Sequence, residues 1–309
     1  MYVGFDLGGT ALKFGVVDEE GKILHASQVE TPKSLRKLLQ TLEEIWEALK
    51  IDRPQQIRAV GFGIPGIFSS KEKRILQSPN YPELDGFDLV PALSRFIGIP
   101  LWVNNDANMA AYGEFRHGAG KDAHSLVLLT IGTGVGGGII LNDRIWEGAC
   151  GFAGELGHAT VNPDGEPCKC GSKGCLETEV SAPKIVKNYQ AHSRNRATIS
   201  AEEVARRAKN NDEAALRAFA EAGRYLGIGL SIVINMLNPE RILLGGGVMK
   251  AGEFLLPPAI EEASKRAFKG SFRCCRIDRA SLGNNAGFIG AALWAKKRTQ
   301  DASSSTLRP

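Results

Sequence analysis

The segment YVGFDLGGTALKFGVVDEEGKIL (residues 2–24) carries the pattern that decides the fold of this chain. Apolar residues run up to Leu7, a GGT turn follows, KFGVV forms a second apolar stretch, and DEEG ends it. Short apolar runs bounded by glycine-rich turns are typical of strands. The segment therefore predicts a strand, a tight glycine turn, a second strand, and a hairpin turn into a third strand.

The same unit recurs 124 residues later as LVLLTIGTGVGGGIILNDRI (residues 126–145). Gly8–Thr10 align with Gly132–Gly134, and the alignment runs for about 20 residues without a gap. We interpret this as an internal repeat that opens each of two domains, with chance similarity of glycine-rich hairpins as the alternative. Neither turn fits a Walker A or Rossmann motif. Glycine turns let backbone N–H groups approach an anion closely, so two facing turns would clamp a polyphosphate.

Length and composition favour a two-domain α/β protein. The chain has 309 residues, 43% of them hydrophobic, which is ample for two cores. Apolar residues at helical spacing predict helices at 34–50 and at about 200–210, 212–221 and 222–237. We expect an N-terminal domain over 1–117, a C-terminal domain over 118–286, a last helix at about 287–298 that returns to the first domain, and a disordered tail over 299–309.

The charge balance argues against several classes of partner. Lys and Arg number 38 and Asp and Glu 34, which is too balanced to predict a nucleic-acid or anionic-membrane partner. The longest near-continuous apolar run, Leu226–Leu237, is too short to cross a bilayer. Met1 runs into a strand-like segment with no secretory signal, so we expect a cytoplasmic protein with reduced cysteines.

The segment GELGHATVNPDGEPCKCGSKGCLE (residues 154–177) holds one histidine and three cysteines at close spacing. Three thiolates and one imidazole complete a tetrahedral zinc shell of the closed, structural kind. A disulfide or packed cysteines are the alternative, but clustered cysteines in a reducing compartment bind metal more often than they pair. The remaining Cys150, Cys274 and Cys275 lack ligand spacing. We predict a structural Zn²⁺ held by His158, Cys168, Cys170 and Cys175.

These motifs together resemble those of the ROK family of sugar kinases and transcriptional repressors, which has the actin-like ATPase fold. The family pattern GExGH, six residues, G, two residues and CxCGxxGCxE is met at every fixed position of 154–177. DLGGT (6–10), SPN (78–80), NDAN (105–108) and GTGVGGG (132–138) match as well. The resemblance covers nearly the whole chain. It implies two RNase H-like α/β domains with sugar and ATP in the cleft between them.

The resemblance also implies roles for single residues around the sugar. Asp106 in NDAN is implied as the general base that accepts the proton of the sugar hydroxyl, while an N-cap is the alternative for this motif. One ring nitrogen of His158 can take the zinc while the other faces the sugar. The implied sugar ligands are Asn80, Asn105, Asp106, Glu155, His158 and Glu177.

The glycine-rich segments form the predicted ATP site. Asp6, just before the first turn, could hold Mg²⁺ beside the phosphates or could cap the turn. Lys13 could reach a phosphate or could be a solvated strand lysine. We expect phosphate contacts at Gly8, Gly9, Thr10, Gly132, Thr133 and Gly134, and an adenosine site lined by Gly245, Gly246 and Gly247.

The predicted activity is ATP- and Mg²⁺-dependent phosphorylation of a hexose at its 6-hydroxyl, with glucose as the leading substrate. Kinases of N-acetylglucosamine, N-acetylmannosamine, mannose or fructose are alternatives, although Cys170 in place of a His disfavours the fructose type. A sugar-sensing regulator without catalysis is the alternative from another class. Because Asp6 lies six residues from the start, we expect no DNA-binding winged helix ahead of it. The resemblance further implies a homodimer.

Overall fold

The structure is a computed structural model that describes residues 1–52, 56–69, 72, 74–78, 81–193 and 198–305. Its strands are β1 (Tyr2–Leu7), β2 (Ala11–Val17), β3 (Ile23–Glu30), β4 (Ala59–Ile64), β5 (Ile67–Ser69), β6 (Arg74–Gln77), β7 (Leu101–Asn105), β8 (Leu126–Ile131), β9 (Val135–Leu141), β10 (Arg144–Ile145), β11 (Arg241–Gly245) and β12 (Arg276–Arg279). Its α-helices are α1 (Leu35–Asp52), α2 (Leu89–Ile97), α3 (Asp106–His117), α4 (Leu176–Val180), α5 (Ala182–Ser193), α6 (Ala201–Lys209), α7 (Glu213–Leu237), α8 (Gly252–Arg266), α9 (Lys269–Cys274) and α10 (Ala286–Ser305).

Two mixed sheets with the same topology form the frame of the described residues. The strand order is β3-β2-β1-β4-β7 in the first sheet and β10-β9-β8-β11-β12 in the second. In each sheet the opening hairpin is antiparallel, and the two strands added on its other side are parallel to the first strand. Strands β5 and β6 form a separate small hairpin. The expectation of two α/β sheets, each opened by a glycine hairpin, is confirmed.

The two opening hairpins differ in the register in which their strands pair. Strands β8 and β9 begin and end 124 residues after β1 and β2, so the strand bounds agree with the gap-free alignment. Leu7 pairs with Leu12 across the first turn, whereas Ile131 pairs with Val135 across the second. The first residue of the first turn donates its N–H to the carbonyl of Ala11, and the first residue of the second turn donates to the carbonyl of Gly134. The cross-strand pairing beyond the turns therefore differs by one residue between the two hairpins.

Helices cover both faces of the sheets. In α1 the buried residues Leu38, Leu42, Trp46 and Leu49 recur every three or four positions, so one helix face packs on the first sheet. Helices α7 and α8 pack on the second sheet. Helices α3 and α10 lie between the two sheets and share one apolar core with both. Among the helices of the described residues, none is long and apolar enough to cross a membrane.

Helix α10 packs on the first sheet although it follows the last strand of the second. Two strand glycines allow this approach: a Cβ at Gly4 would lie 1.8 Å from the carbonyl oxygen of Phe288, and one at Gly61 would lie 1.9 Å from that of Ala291. The division of the chain near Gly118 stays a prediction.

The expected disordered tail is wrong over residues 299–305, because α10 continues to Ser305. Trp102 on β7 donates a hydrogen bond from Nε1 to Thr299 Oγ1, at 3.2 Å. The guanidinium of Arg298 lies 4.9 Å from the Trp102 ring centroid, and Lys297 pairs with Asp301 one turn on. Trp102 is therefore a packing partner for the last turns of the helix. The serine-rich composition of this segment gives no sign of that contact. Residues 306–309 lie outside the described residues.

The predicted break between helices at 221 and 222 is also wrong, because α7 is continuous. Its glycines serve packing rather than chain reversal. A Cβ at Gly223 would lie 2.7 Å from the carbonyl oxygen of Leu255 on α8, and one at Gly227 would lie 2.5 Å from that of Ala259. The two glycines let the helix backbones approach closely.

Candidate active site

The carboxyl ends of β1, β4 and β7 meet at one edge of the first sheet. Asp6 is in register with Gly63 on β4, and Gly63 is in register with Asn104 on β7. Asn105 ends β7, and Asp106 is the first residue of α3. The parallel pairing therefore brings the acid of the first glycine hairpin and the acid of NDAN to the same edge of the sheet.

Asp106 has the environment of a carboxylate with a raised proton affinity. Its Oδ1 accepts a hydrogen bond from the N–H of Ala107, at 2.9 Å. Burial raises the pKa of Asp106 to about 7, and the nearby charge of Asp6 adds to the rise, while the bond from Ala107 opposes it. The charge of Glu155 raises the pKa of Asp106 by a smaller amount. A carboxylate with a pKa near neutrality is suited to general-base chemistry.

Asp6 lies beside Asp106 and has a cationic neighbour. The side chain of Asp6 is only 13% exposed, and burial raises its pKa to about 6, against the charge of Lys13. Lys13 Nζ lies 3.8 Å from Asp6 Oδ2. Lys13 is thus half-buried beside an acid rather than freely solvated. An oxygen ligand such as Asp6 suits Mg²⁺, so the residues next to the first turn fit this ion.

The first glycine turn is fixed by hydrogen bonds at Gly8 and exposed at Gly9 and Thr10. Gly8 N–H donates to the carbonyl of Ala11, and Thr31 donates from Oγ1 to the carbonyl of Gly8, at 2.6 Å. Gly9 and Thr10 are exposed. A cleft of about 560 Å³ opens beside them, lined also by Thr31, Lys33, Tyr81 and Glu83. Gly9 and Thr10 therefore face accessible space, although neither Asp6 nor Asp106 lines this cleft.

The second turn and the third glycine cluster lie together at the second sheet. Thr133 is exposed at the tip of the second turn. Gly246 follows β11 with φ of 87°, a region that favours glycine, and a Cβ there would lie 2.3 Å from the carbonyl oxygen of Ile131. Gly247 then begins a short 3₁₀ helix. The predicted phosphate turn and the predicted adenosine segment are thus neighbours in space.

The side chains of Asn104 and Asn105, next to Asp106, form hydrogen bonds within the protein. Asn105 caps α3, because its side chain accepts a hydrogen bond from the N–H of Asn108, and it donates from Nδ2 to the carbonyl of Gly66. Asn104 donates from Nδ2 to Glu147 Oε1, at 2.7 Å, which joins β7 to the segment after β10. The N-cap in NDAN is therefore Asn105, and its sugar contact stays a prediction. Asn80 lies outside the described residues.

The predicted zinc ligands converge. One ligand atom from each of His158, Cys168, Cys170 and Cys175 lies within 4.8 Å of every other. Cys170 Sγ and Cys175 Sγ are 3.6 Å apart, and His158 Nδ1 and Cys168 Sγ are also 3.6 Å apart. Two sulfurs bound to one tetrahedral zinc at about 2.3 Å would lie about 3.7 Å apart. The donor set and its spacing fit a structural Zn²⁺.

The two carboxylates of the zinc segment have different surroundings. Glu155 Oε2 lies 3.8 Å from His158 Nε2, on the side of the ring opposite the cysteines, and burial raises the pKa of Glu155. Glu177 instead contacts the second glycine turn: its Oε2 accepts a hydrogen bond from the N–H of Val135, at 2.9 Å. Both sugar contacts stay predictions. Sequence reasoning missed the bond to Val135, since nothing in the spacing relates positions 135 and 177.

The chain is similar to known proteins over nearly its whole length. The model of the ROK family matches residues 2–298. The chain is 35% identical to a glucokinase of Halalkalibacterium halodurans, over 97% of this chain and 96% of that protein. It is 29% identical to a xylose repressor of Bacillus spizizenii, over 93% of this chain and 75% of the repressor.

A solved structure shows that the similarity extends to the fold. The crystal structure of a ROK family glucokinase from Streptomyces griseus, in complex with glucose and AMPPNP, is similar with a TM-score of 0.83 at 32% identity. The similarity covers 96% of this chain and 99% of that one. The predicted two-domain actin-like ATPase fold is thereby confirmed.

Proposed function

This chain belongs to the ROK family, and we propose that it is a kinase that transfers the γ-phosphoryl group of ATP to the 6-hydroxyl of a hexose, with glucose as the first candidate. The observation that carries the proposal is the position of Asp106. It begins α3 at the sheet edge where Asp6 and the first glycine turn also lie, and its pKa is raised to about 7.

Asp106 would act as the general base. Its bond from the N–H of Ala107 fixes the orientation of the carboxylate. The hydroxyl oxygen of the sugar would attack the γ-phosphorus, the hydroxyl proton would pass to Asp106, and ADP would leave. Since such transfers depend mainly on positioning and electrostatics, a single well-placed acceptor is sufficient.

The glycine turns would hold the nucleotide. Gly9 and Thr10 of the first turn and Thr133 of the second are exposed, and their backbone N–H groups would donate to phosphate oxygens. Asp6 would hold Mg²⁺, and Mg²⁺ would neutralise phosphate charge when bound. Gly247 would leave room for adenosine beside the second turn, because a Cβ there would meet no atom within 4 Å.

The zinc segment would form the sugar side of the site. Glu155 and the outer nitrogen of His158 lie together, and a carboxylate can accept hydrogen bonds from two sugar hydroxyls. With the Cys₃His set occupied, Zn²⁺ would fix the loop that presents them. Glucose is proposed first because the Halalkalibacterium halodurans relative is a glucokinase and the Streptomyces griseus protein binds glucose.

A coupled assay of ADP release tests the proposal. Glucose, mannose, fructose, N-acetylglucosamine and N-acetylmannosamine are supplied at equal concentration with MgATP. We expect the highest kcat/KM with glucose, and faster release with another of these sugars would leave the kinase proposal intact and replace the substrate. Asp106→Asn should lower kcat by about 10²–10⁴-fold, while Asp122→Asn, the same change at an exposed acid, is the matched control for expression.

A sugar-responsive regulator is the second candidate, because a xylose repressor matches 93% of this chain. Sugar binding by calorimetry without ADP release from any of the five sugars would favour it over the kinase.

The proposal extends to a cytoplasmic homodimer, with a reducing compartment keeping the zinc thiolates available. Light scattering that gives the mass of one chain, 33.2 kDa, would contradict the dimer.

A further inference from the structure

The second glycine turn is anchored at both ends by the segment that follows the zinc ligands. At one end, Val135 N–H donates to Glu177 Oε2, at 2.9 Å. At the other end, the carbonyl of Gly132 accepts a hydrogen bond from the N–H of Ala182, at 2.8 Å. Glu177 lies on α4, the short helix that directly follows the metal-site residue Cys175, and Ala182 lies just after this helix. The shape of the turn therefore depends on the placement of this segment.

Three glycines allow the zinc segment to contact the turn and β9 directly. A Cβ at Gly134 would lie 2.5 Å from Glu177 Oε2, so only glycine admits the carboxylate there. A Cβ at Gly157 would lie 2.2 Å from the carbonyl oxygen of Val135, and one at Gly137 would lie 2.3 Å from that of Gly154. The zinc segment therefore contacts both backbone groups of Val135: its N–H bonds to Glu177, and its carbonyl oxygen lies against Gly157.

The placement of Glu177 depends in turn on the metal site. Cys175 is at once a member of the Cys₃His set and the N-cap residue of α4, and it is fully buried. Glu177 stands two residues later, in the first turn of that helix. A metal that fixes Cys175 would fix the start of α4 and with it the carboxylate.

We propose that Glu177 is a positioning residue for the nucleotide: through Val135 it holds the second glycine turn in the shape that receives phosphates, and the Cys₃His site holds Glu177 in place. This rests on the proposed function, because it assumes that the turn binds phosphates. It adds to the expected sugar contact of Glu177 a second role that does not require sugar. The zinc site would then serve the nucleotide as well as the sugar.

Affinity for MgADP in the absence of sugar tests this role. Calorimetry compares the wild-type protein with Glu177→Ala, Glu177→Gln and Asp164→Asn. We expect Glu177→Ala to weaken MgADP binding on the order of tenfold, the loss of one charge-assisted hydrogen bond. Glu177→Gln keeps an acceptor oxygen and should stay within about threefold of wild type. Asp164→Asn, which alters an exposed carboxylate of the zinc segment outside the proposed site, should leave MgADP binding unchanged.

Two further measurements separate positioning from general damage. Gly134→Ala retains Glu177 but forces the carboxylate from the turn, and should weaken MgADP binding as Glu177→Ala does. Removal of zinc by a chelator should weaken MgADP binding to wild type and add little to the loss in Glu177→Ala. Wild-type affinity in Glu177→Ala, with zinc content retained, would overturn the inference and leave the kinase proposal standing. A wild-type protein that binds no MgADP would overturn both.

Discussion

Gly287 lies directly against the carboxylate of Asp6. A Cβ at position 287 would stand 2.4 Å from both Cγ and Oδ2 of Asp6. The first turn of α10 therefore has room for the acid only because residue 287 lacks a side chain.

Gly287→Ala should displace Asp6 and lower kcat/KM for MgATP at least about tenfold, since misplacement by even 1 Å of a group that positions substrate is costly. The change itself favours a helix, so any loss comes from the contact and not from helix propensity. Gly270→Ala on α9, a helix with no buried residue, is the matched control, because its nearest neighbour is the ring of the exposed Phe268 side chain at 3.3 Å. Equal activity of the two variants would show that Asp6 does not need this space.

The pH dependence of kcat/KM for the sugar should report Asp106. Burial and the charge of Asp6 raise the pKa of Asp106 to about 7. A general base must be deprotonated, so activity should rise about tenfold per pH unit below pH 7 and level off above it. Initial rates at saturating MgATP between pH 5.5 and 9 would measure this, and a flat profile down to pH 5.5 would contradict a base with this pKa.

The raised pKa of Asp106 also predicts that the stability of the protein depends on pH. The folded-state pKa of Asp106, about 7, is above the ordinary value of about 3.9, so the native state binds this proton more tightly than the unfolded chain. The stabilisation is complete below pH about 4 and is lost as the pH rises through about 7. Asp106→Asn cannot ionise, so its gain in Tm over wild type should grow between pH 5 and pH 8. Calorimetry that finds the same gain at both pH values would show that burial does not shift this group.

Zinc should co-purify at about one ion per chain, as a single Cys₃His set requires. Cys168→Ser should lose zinc and lower Tm, because the buried Cys168 closes the metal shell. Cys274→Ser changes an exposed thiol outside the set and should retain both. Elemental analysis and thermal unfolding check the pair, and a zinc-free wild-type protein prepared without chelator would contradict the assignment.

Glu114 connects the segment that follows α3 with the segment that precedes α10, where the chain passes between the two sheets. It is fully buried on α3 and accepts hydrogen bonds from the N–H of Ala119, the N–H of Leu282 and the hydroxyl of Ser281. Glu114→Ala would leave these donors without an acceptor and should lower the free energy of unfolding by about 3 kcal/mol or more. Denaturant unfolding measures this, with the exposed Glu44→Ala as control. A change below about 0.5 kcal/mol, typical of surface positions, would show that water replaces the carboxylate.

The sequence predicts local features well where the pattern is short and periodic. The glycine hairpins, the helix over 34–50 and the Cys₃His set depend on neighbouring residues, so spacing alone identifies them. Contacts between distant segments leave no such pattern. The bond from Val135 to Glu177 and the approach of Gly287 to Asp6 exist only because sheets and helices bring remote positions together. The helix over residues 299–305 escaped prediction for the same reason, since Trp102, its partner through Thr299, is remote in sequence.

The two glycine hairpins pair in registers that differ by one residue, and this makes them unequal beside Asp106. In the first hairpin Asp6 pairs across the strands with Lys13, and in the second the corresponding pair is Thr130 with Gly136. The second hairpin thus has no charged pair at this position, and a Cβ at Gly136 would lie 3.3 Å from Ala107, the residue after Asp106. The two sheets share one strand order, yet the first hairpin has an acid where the second has a glycine facing the helix that begins with Asp106. On the proposed function the two hairpins are therefore not interchangeable, and exchanging them should abolish activity.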